Sequence, residues 1–121
     1  MIAKKYRLTE REVRKVLSRR KPFFSYMFIA NILENHEENH RVAILLSGKV
    51  ARGSVNRNFW RRHFYDISLP LISEKPTEKH YDIVFVPKKW MIFNHKNTEE
   101  LAEFEKNIQF LYKTIFKNIT I

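Results

Sequence analysis

The chain has 121 residues, of which 44% are hydrophobic and none is cysteine, and a formal net charge of +10. One domain of this length can hide roughly two-thirds of its unfolded surface, and the missing cysteines exclude disulfides, thiolate zinc sites and cysteine nucleophiles. The first 62 residues carry 15 Lys/Arg against 5 Asp/Glu, while the remainder carry 8 of each, so the excess lies wholly in the first half and points to a polyanionic partner.

In chain order, Thr9 and Glu12 have the spacing of a capping box, and Leu8 and Val13 that of a hydrophobic staple. Val13, Val16 and Leu17 make a narrow apolar stripe to about Arg20, with Arg11, Arg14 and Lys15 on other faces. Pro22 closes this first helix. Phe23 to Leu33 is aromatic and branched without a helical period, which predicts a short strand and then a longer one from Tyr26. Asn35 to Asn39 reads as a polar turn. Arg41 to Ser47 is a continuous apolar run of the kind found in buried central strands. Its short link to the preceding strand predicts an antiparallel hairpin.

Gly48 to Gly53 is a basic loop, after which Ser54 is expected to cap a second helix running to about Ser68. Leu69 to His80 holds two prolines and several charges and reads as a surface connection. Tyr81 to Val86 is a further strand, ended by Pro87. Asn97 or Thr98 starts a last helix, with Leu101, Phe104, Ile108, Leu111 and Ile115 at spacings of three and four. The order αβββαβα implies an α+β fold, one small mixed sheet with helices packed on it, spanning residues 1–121 as a single domain. Apolar runs such as Val42 to Leu46 are too short to span a bilayer. No apolar signal segment follows the basic N-terminus, and the expected location is the cytoplasm.

The second helix carries the chemistry. At 100° per residue, Val55, Phe59, Trp60, His63, Phe64 and Ile67 fill one half of the wheel. Arg57, Asn58, Arg61, Arg62 and Tyr65 fill the other. Arg57/Arg61 and Asn58/Arg62 are i,i+4 neighbours. No acid lies within one turn of Arg57, and Asp66 reaches only Arg62. Cations packed this way repel one another, a cost that phosphates remove, and the planar arginine fork suits phosphate. Lys49 and Arg52 in the preceding loop extend the face.

These residues resemble the signature of the bacterial ribonuclease P protein subunit, in which a Ser-Lys-Lys segment precedes a helix opening Ala-Val-x-Arg-Asn-Arg-x-x-Arg. Ser47-Gly48-Lys49 and Ser54-Val55-Asn56-Arg57-Asn58-Phe59-Trp60-Arg61-Arg62 stand in those places. Lys4 to Leu8, Arg41 to Ile44, Tyr81 to Val84 and the amphipathic tail resemble other parts of the family pattern. Phe59, Tyr65 and Gly48 replace basic residues of that pattern. Val13 and Leu17 replace phenylalanines, and Arg19-Arg20-Lys21 replaces an Arg-Gly or His-Gly.

The resemblance implies the αβββαβα fold of ribosomal protein S5 domain 2-like proteins and a subunit that binds a catalytic RNA. Together they remove the 5′ leader of precursor tRNA, with Mg2+ held mainly by the RNA. The implied RNA contacts are Lys49, Arg52, Arg57, Asn58, Arg61 and Arg62. The implied leader cleft comprises Val13, Leu17, Asn31, Ser47 and Lys49. Aliphatic side chains at Val13 and Leu17 weaken base stacking there, which Phe24, Tyr26 or Phe28 offset according to strand register. The implied partners are the catalytic RNA and precursor tRNA, with neither a membrane nor a further protein required.

Other readings compete. His36-Glu37-Glu38-Asn39-His40 matches H-E-x-x-H, the pattern of a zinc-dependent hydrolase, which needs His36 and His40 on one helix face. Here it falls in a short connection, and the expectation is a solvated turn. Glu99, Glu100, Glu103 and Glu105 are grouped as in a protein-only nuclease, but acids also suit a helix start. A non-catalytic ribosomal-type RNA-binding module is the third alternative.

Overall fold

A computed structural model describes residues 4–19, 21–73 and 79–119. Arg20 and residues 74–78, with the second proline of the expected connection, lie outside the described residues. After a 3-10 turn at Lys4–Tyr6 come α1 (Glu10–Arg19), β1 (Pro22–Phe24), β2 (Phe28–Asn35), β3 (Arg41–Ile44), α2 (Ser54–Ser73), β4 (His80–Pro87) and α3 (Thr98–Ile119). The order is αβββαβα, as the sequence predicts.

The four strands form one sheet in the order β1-β2-β4-β3. β1 pairs antiparallel with β2 and β2 with β4, whereas β3 runs parallel to β4. The hairpin expected between the second and third strands is therefore not formed, because β4 inserts between them. β3 is an edge strand rather than a central one, and shorter than the apolar run that encodes it. Its burial comes from helices on both faces and from the N-terminal segment, where Leu8 N–H donates to Val42 O at 3.2 Å.

Alternation along the strands sends side chains to opposite faces. Phe28, Ala30, Ile32, Val42, Ile44, Ile83 and Phe85 face the main core beneath α2 and α3. Ala43 and Val84 face the other way and meet Val13 and Val16 of α1, with Leu8, Leu17, Leu33 and Val86 around them. Burying a large apolar side chain contributes about 1.5–3 kcal/mol, so the side chains of α3 at Phe104, Ile108, Leu111 and Ile115 are a principal source of stability.

The helix ends follow local chemistry. Thr9 N–H donates to Glu12 Oε1 at 2.8 Å and Glu12 N–H to Thr9 Oγ1 at 3.3 Å, which completes the predicted capping box. Asn97 Oδ1 accepts from the N–H groups of Glu99 and Glu100 at the start of α3. At α2 the cap differs from expectation. Arg57 N–H donates to the carbonyl of Gly53 at 3.0 Å, so Gly53 and not Ser54 closes the first turn. Gly53 has φ of +82°, which a side-chain-bearing residue adopts only at a cost.

α2 also continues through Pro70 to Ser73, past the expected end at Ser68. An interior proline costs a helix about 3 kcal/mol through its missing N–H and its ring clash. Tertiary packing outweighs that cost. Ile72 is buried, and Tyr112 OH donates to Ser68 Oγ at 2.8 Å, joining α2 to α3.

Candidate nucleic-acid interface

α2 divides almost as its wheel predicts. Trp60, Phe64 and Ile67 are buried, and the Trp60 ring lies 4.8 Å from Phe104 and 5.1 Å from Phe93. Val55 is a correction, since it is 73% exposed although the wheel assigns it to the core. Asn56 turns inward instead. Its Nδ2 donates to Phe93 O at 2.8 Å, and its Oδ1 accepts from Trp60 Nε1 at 3.1 Å and His95 N–H at 2.9 Å. This buried amide ties the first turn of α2 to the segment after β4, and no apolar periodicity could have revealed it.

The opposite half of α2 points outward. Asn58 and Arg62 are exposed, Arg57 and Arg61 half-buried, and Lys49 and Arg52 exposed on the preceding loop. Arg57 Nη1 donates to Ala51 O at 3.2 Å, and Arg61 Nη1 donates to Asn58 Oδ1 at 3.0 Å. These bonds orient two guanidinium groups without neutralising them. Among the described residues, no ion pair involves Arg57, Arg61, Arg62, Lys49 or Arg52. Burial raises the pKa of the Tyr65 phenol, opposed by Arg7 and Arg61, so the N-terminal segment adds a cation beside the face.

On the other side of the sheet a groove of about 400 Å³ runs between α1 and the strands, lined by Leu17, Pro22, Phe24, Ile29, Asn31, Leu45 and Val86. Two of the five expected cleft residues, Leu17 and Asn31, line it. Val13 is buried beneath α1 at 8% exposure, and Ser47 and Lys49 are exposed on the loop beyond Leu45. The register places Phe28 in the main core, fully buried, while Phe24 stays 60% exposed at the groove.

The H-E-x-x-H segment does not present its histidines together on a helix. Residues 36–39 form a bend between β2 and β3. His40 is buried, and its Nδ1 accepts Tyr81 N–H at 3.0 Å. Burial and then the neighbouring His80 lower its pKa to about 4. The acids of α3 are likewise engaged locally. Glu100 Oε1 accepts Asn94 N–H, Glu103 lies 3.8 Å from Lys106, and Glu105 accepts from Gln109.

The architecture is that of a small α+β protein with an unneutralised arginine face on one side of its sheet and an apolar groove on the other. Residues 2–114 match the family Ribonuclease P. The chain therefore belongs to the ribonuclease P protein family, whose members serve the endoribonuclease of tRNA processing together with its RNA. The fold is similar to the RNase P protein of Staphylococcus aureus, with a TM-score of 0.70 and 17% identity over 91% of this chain and 94% of that one. It is also similar to the RNase P protein from Thermotoga maritima, with a TM-score of 0.52 and 18% identity over 94% of each. No curated protein sequence matches the chain. No helix among the described residues is long and apolar enough to cross a membrane.

Proposed function

We propose that the outer face of α2 binds the catalytic RNA of ribonuclease P, and that the groove beside α1 receives the single-stranded 5′ leader of precursor tRNA. The observation that carries this reading is the set of arginines Arg57, Arg61 and Arg62, the first two oriented by hydrogen bonds, with no carboxylate partner for any of the three among the described residues. Closing phosphates over such a face relieves cation repulsion and releases counterions. Asn58 adds an exposed amide, and Lys49 and Arg52 extend the charge towards the end of β3.

The groove supplies apolar walls for bases and ribose. Asn31 makes no side-chain hydrogen bond among the described residues, which leaves its amide for a base edge. Phe24 takes over the stacking that Val13 and Leu17 cannot give. The α2 face is cationic and repels Mg2+, so the proposed home of the catalytic Mg2+ is the RNA. The protein's share of the work is to screen phosphate repulsion and to orient the leader.

The test is reconstitution. Leader removal at moderate Mg2+ is measured with the protein alone, the RNA alone and both together. Acceleration only in the mixture supports the reading. Cleavage by the protein alone, or no effect on the RNA, rejects it.

A further inference from the structure

Two large aromatic side chains lie on the surface, on segments that follow two strands of the groove wall. Tyr26 is 70% exposed and Trp90 55% exposed, and their ring centroids are 4.8 Å apart with an interplanar angle of 68°. Neither helps to fill a core, so the fold holds both rings in water at a hydrophobic cost. They are also held firmly. Tyr26 sits in a tight turn in which Ser25 N–H donates to Phe28 O at 2.9 Å, and Phe28 N–H donates to Ser25 Oγ at 3.1 Å. Its neighbour Met27 is buried and accepts Lys88 N–H at 2.9 Å, and Met27 N–H donates to Asn107 Oδ1 at 3.0 Å. On the other side Met91 is buried, and its N–H donates to Lys88 O at 3.0 Å. Each ring thus projects from backbone anchored by one buried methionine beside it.

The surroundings select the occupant. Phe24, at the groove, lies two residues before Tyr26, and Val86, in the groove wall, lies two before Lys88. Two chain segments that wall the groove therefore continue into the segments that carry the pair. Lys88 and Lys89 adjoin Trp90 and form no ion pair among the described residues. Neither residues 21–33 nor residues 83–98 contain a carboxylate side chain. The chain's net charge of +10 disfavours a second copy docking here. Flat, rigid rings beside unneutralised lysines suit an unpaired base and its phosphates.

We propose that Tyr26 and Trp90 form a stacking platform for an unpaired base of the RNA strand leaving the groove, with Lys88 and Lys89 on the adjoining phosphates. The proposal rests on the reading of the groove as a single-strand channel and lengthens that channel. It makes affinity depend on whether a leader is long enough to reach beyond the groove.

The chain supplies its own reporter, because its two tryptophans are Trp60, fully buried, and Trp90. The intact protein is titrated with a ten-nucleotide oligoadenylate while tryptophan emission and its quenching by acrylamide are followed. Binding should quench Trp90 and shield it from acrylamide. Trp90→Ala should weaken binding roughly 5- to 100-fold, Trp90→Phe should keep most of the affinity, and both should melt as the wild type does. Unchanged affinity in Trp90→Ala, an oligonucleotide that leaves Trp90 accessible, or no binding by the wild type overturns the platform. Shielding of Trp90 by raised protein concentration without RNA overturns it in favour of self-association. Reconstitution separates the two readings. A chain that activates the RNA, yet binds oligoadenylate equally well as Trp90→Ala, loses only the platform. A chain that does not activate the RNA loses the proposed function, and the titration still decides the platform.

Discussion

Arg41 and the arginines of α2 are the same residue type put to opposite uses. Arg41 donates through Nε and Nη2 to the two oxygens of Asp82 at 2.9 and 2.8 Å. It also meets Glu12 of α1, with Glu37 3.9 Å away. The hydrogen bonds to Asp82 are the largest single cause of the raised Arg41 pKa; burial opposes them, and the charges of Asp82, Glu12 and Glu37 add to them. Arg57, Arg61 and Arg62 have no such partners among the described residues. A guanidinium ringed by carboxylates holds elements of the fold together, here α1 to β3 and β4. A guanidinium that is oriented but left uncompensated is available to a partner. Counting arginines along the chain does not separate the two uses, whereas their carboxylate neighbours do.

Removing Arg41 is the harshest way to probe this contrast. Asp82 is 5% exposed, and Arg41→Ala leaves its carboxylate buried without its main partner. Breaking such a pair costs about 3 kcal/mol, and on this chain length a fall in Tm of about 10 °C is expected. A melting temperature within 2 °C (roughly 0.5 kcal/mol) of the wild type would show that Arg41 is no more structural than Arg57.

Acid tests the same side of the contrast more gently. The His40 value of about 4 in the folded chain lies below its ordinary 6.5. Between these limits the unfolded chain binds the extra proton, so His40 stabilises the fold fully above about pH 6.5 and loses that contribution as pH falls towards 4. Burial tends to raise the Glu12 pKa, but the hydrogen bonds from Thr9 and the charge of Arg41 outweigh it and hold the value low. Its contribution likewise disappears in acid, as pH falls through the lowered value. Urea midpoints measured from pH 7 to pH 4 should fall steadily. In His40→Phe, whose ring cannot take up the proton, the decline should be shallower.

A gain-of-charge variant has the smallest expected effect on folding. A Cβ added at Gly48 meets Arg57 Nη1 at 3.8 Å, an ordinary contact, and Gly48 does not have the positive φ of Gly53. Gly48→Lys should leave stability within about 0.5 kcal/mol. It should also steepen the salt dependence of RNA binding by ~0.7–0.9 log units per log unit of salt. An unchanged slope would place Gly48 outside the contact.

The sequence discloses local chemistry well and strand adjacency poorly. The Thr9/Glu12 box, the α3 stripe and the division of α2 follow from spacings within a few residues, and the structure contains all three. The β2–β3 hairpin fails because neighbours in sequence need not be neighbours in a sheet. The parallel β3–β4 pair requires the α2 crossover, and nothing between residues 35 and 47 encodes the strand that slips in later. Pro70 reads as a helix breaker, yet packing by Ile72 and the Tyr112–Ser68 bond carries the helix past it. Asn56 and Asp82 are invisible to apolar periodicity because the partners that tie them to distant parts of the fold, Phe93 and Arg41, lie 37 and 41 residues away. In the candidate site, the arginine face follows from the helix wheel. The groove walls at Phe24, Ile29 and Val86 depend on strand register, which only the assembled sheet fixes.

The central claim is tested most directly by the salt dependence of binding between the ribonuclease P RNA and the double variant Arg57→Ala/Arg61→Ala. Weaker binding is predicted, with a log–log salt slope shallower by ~1.4–1.8 and a melting temperature close to that of the wild type. An affinity and slope equal to those of the wild type, in a variant that folds normally, would contradict the account.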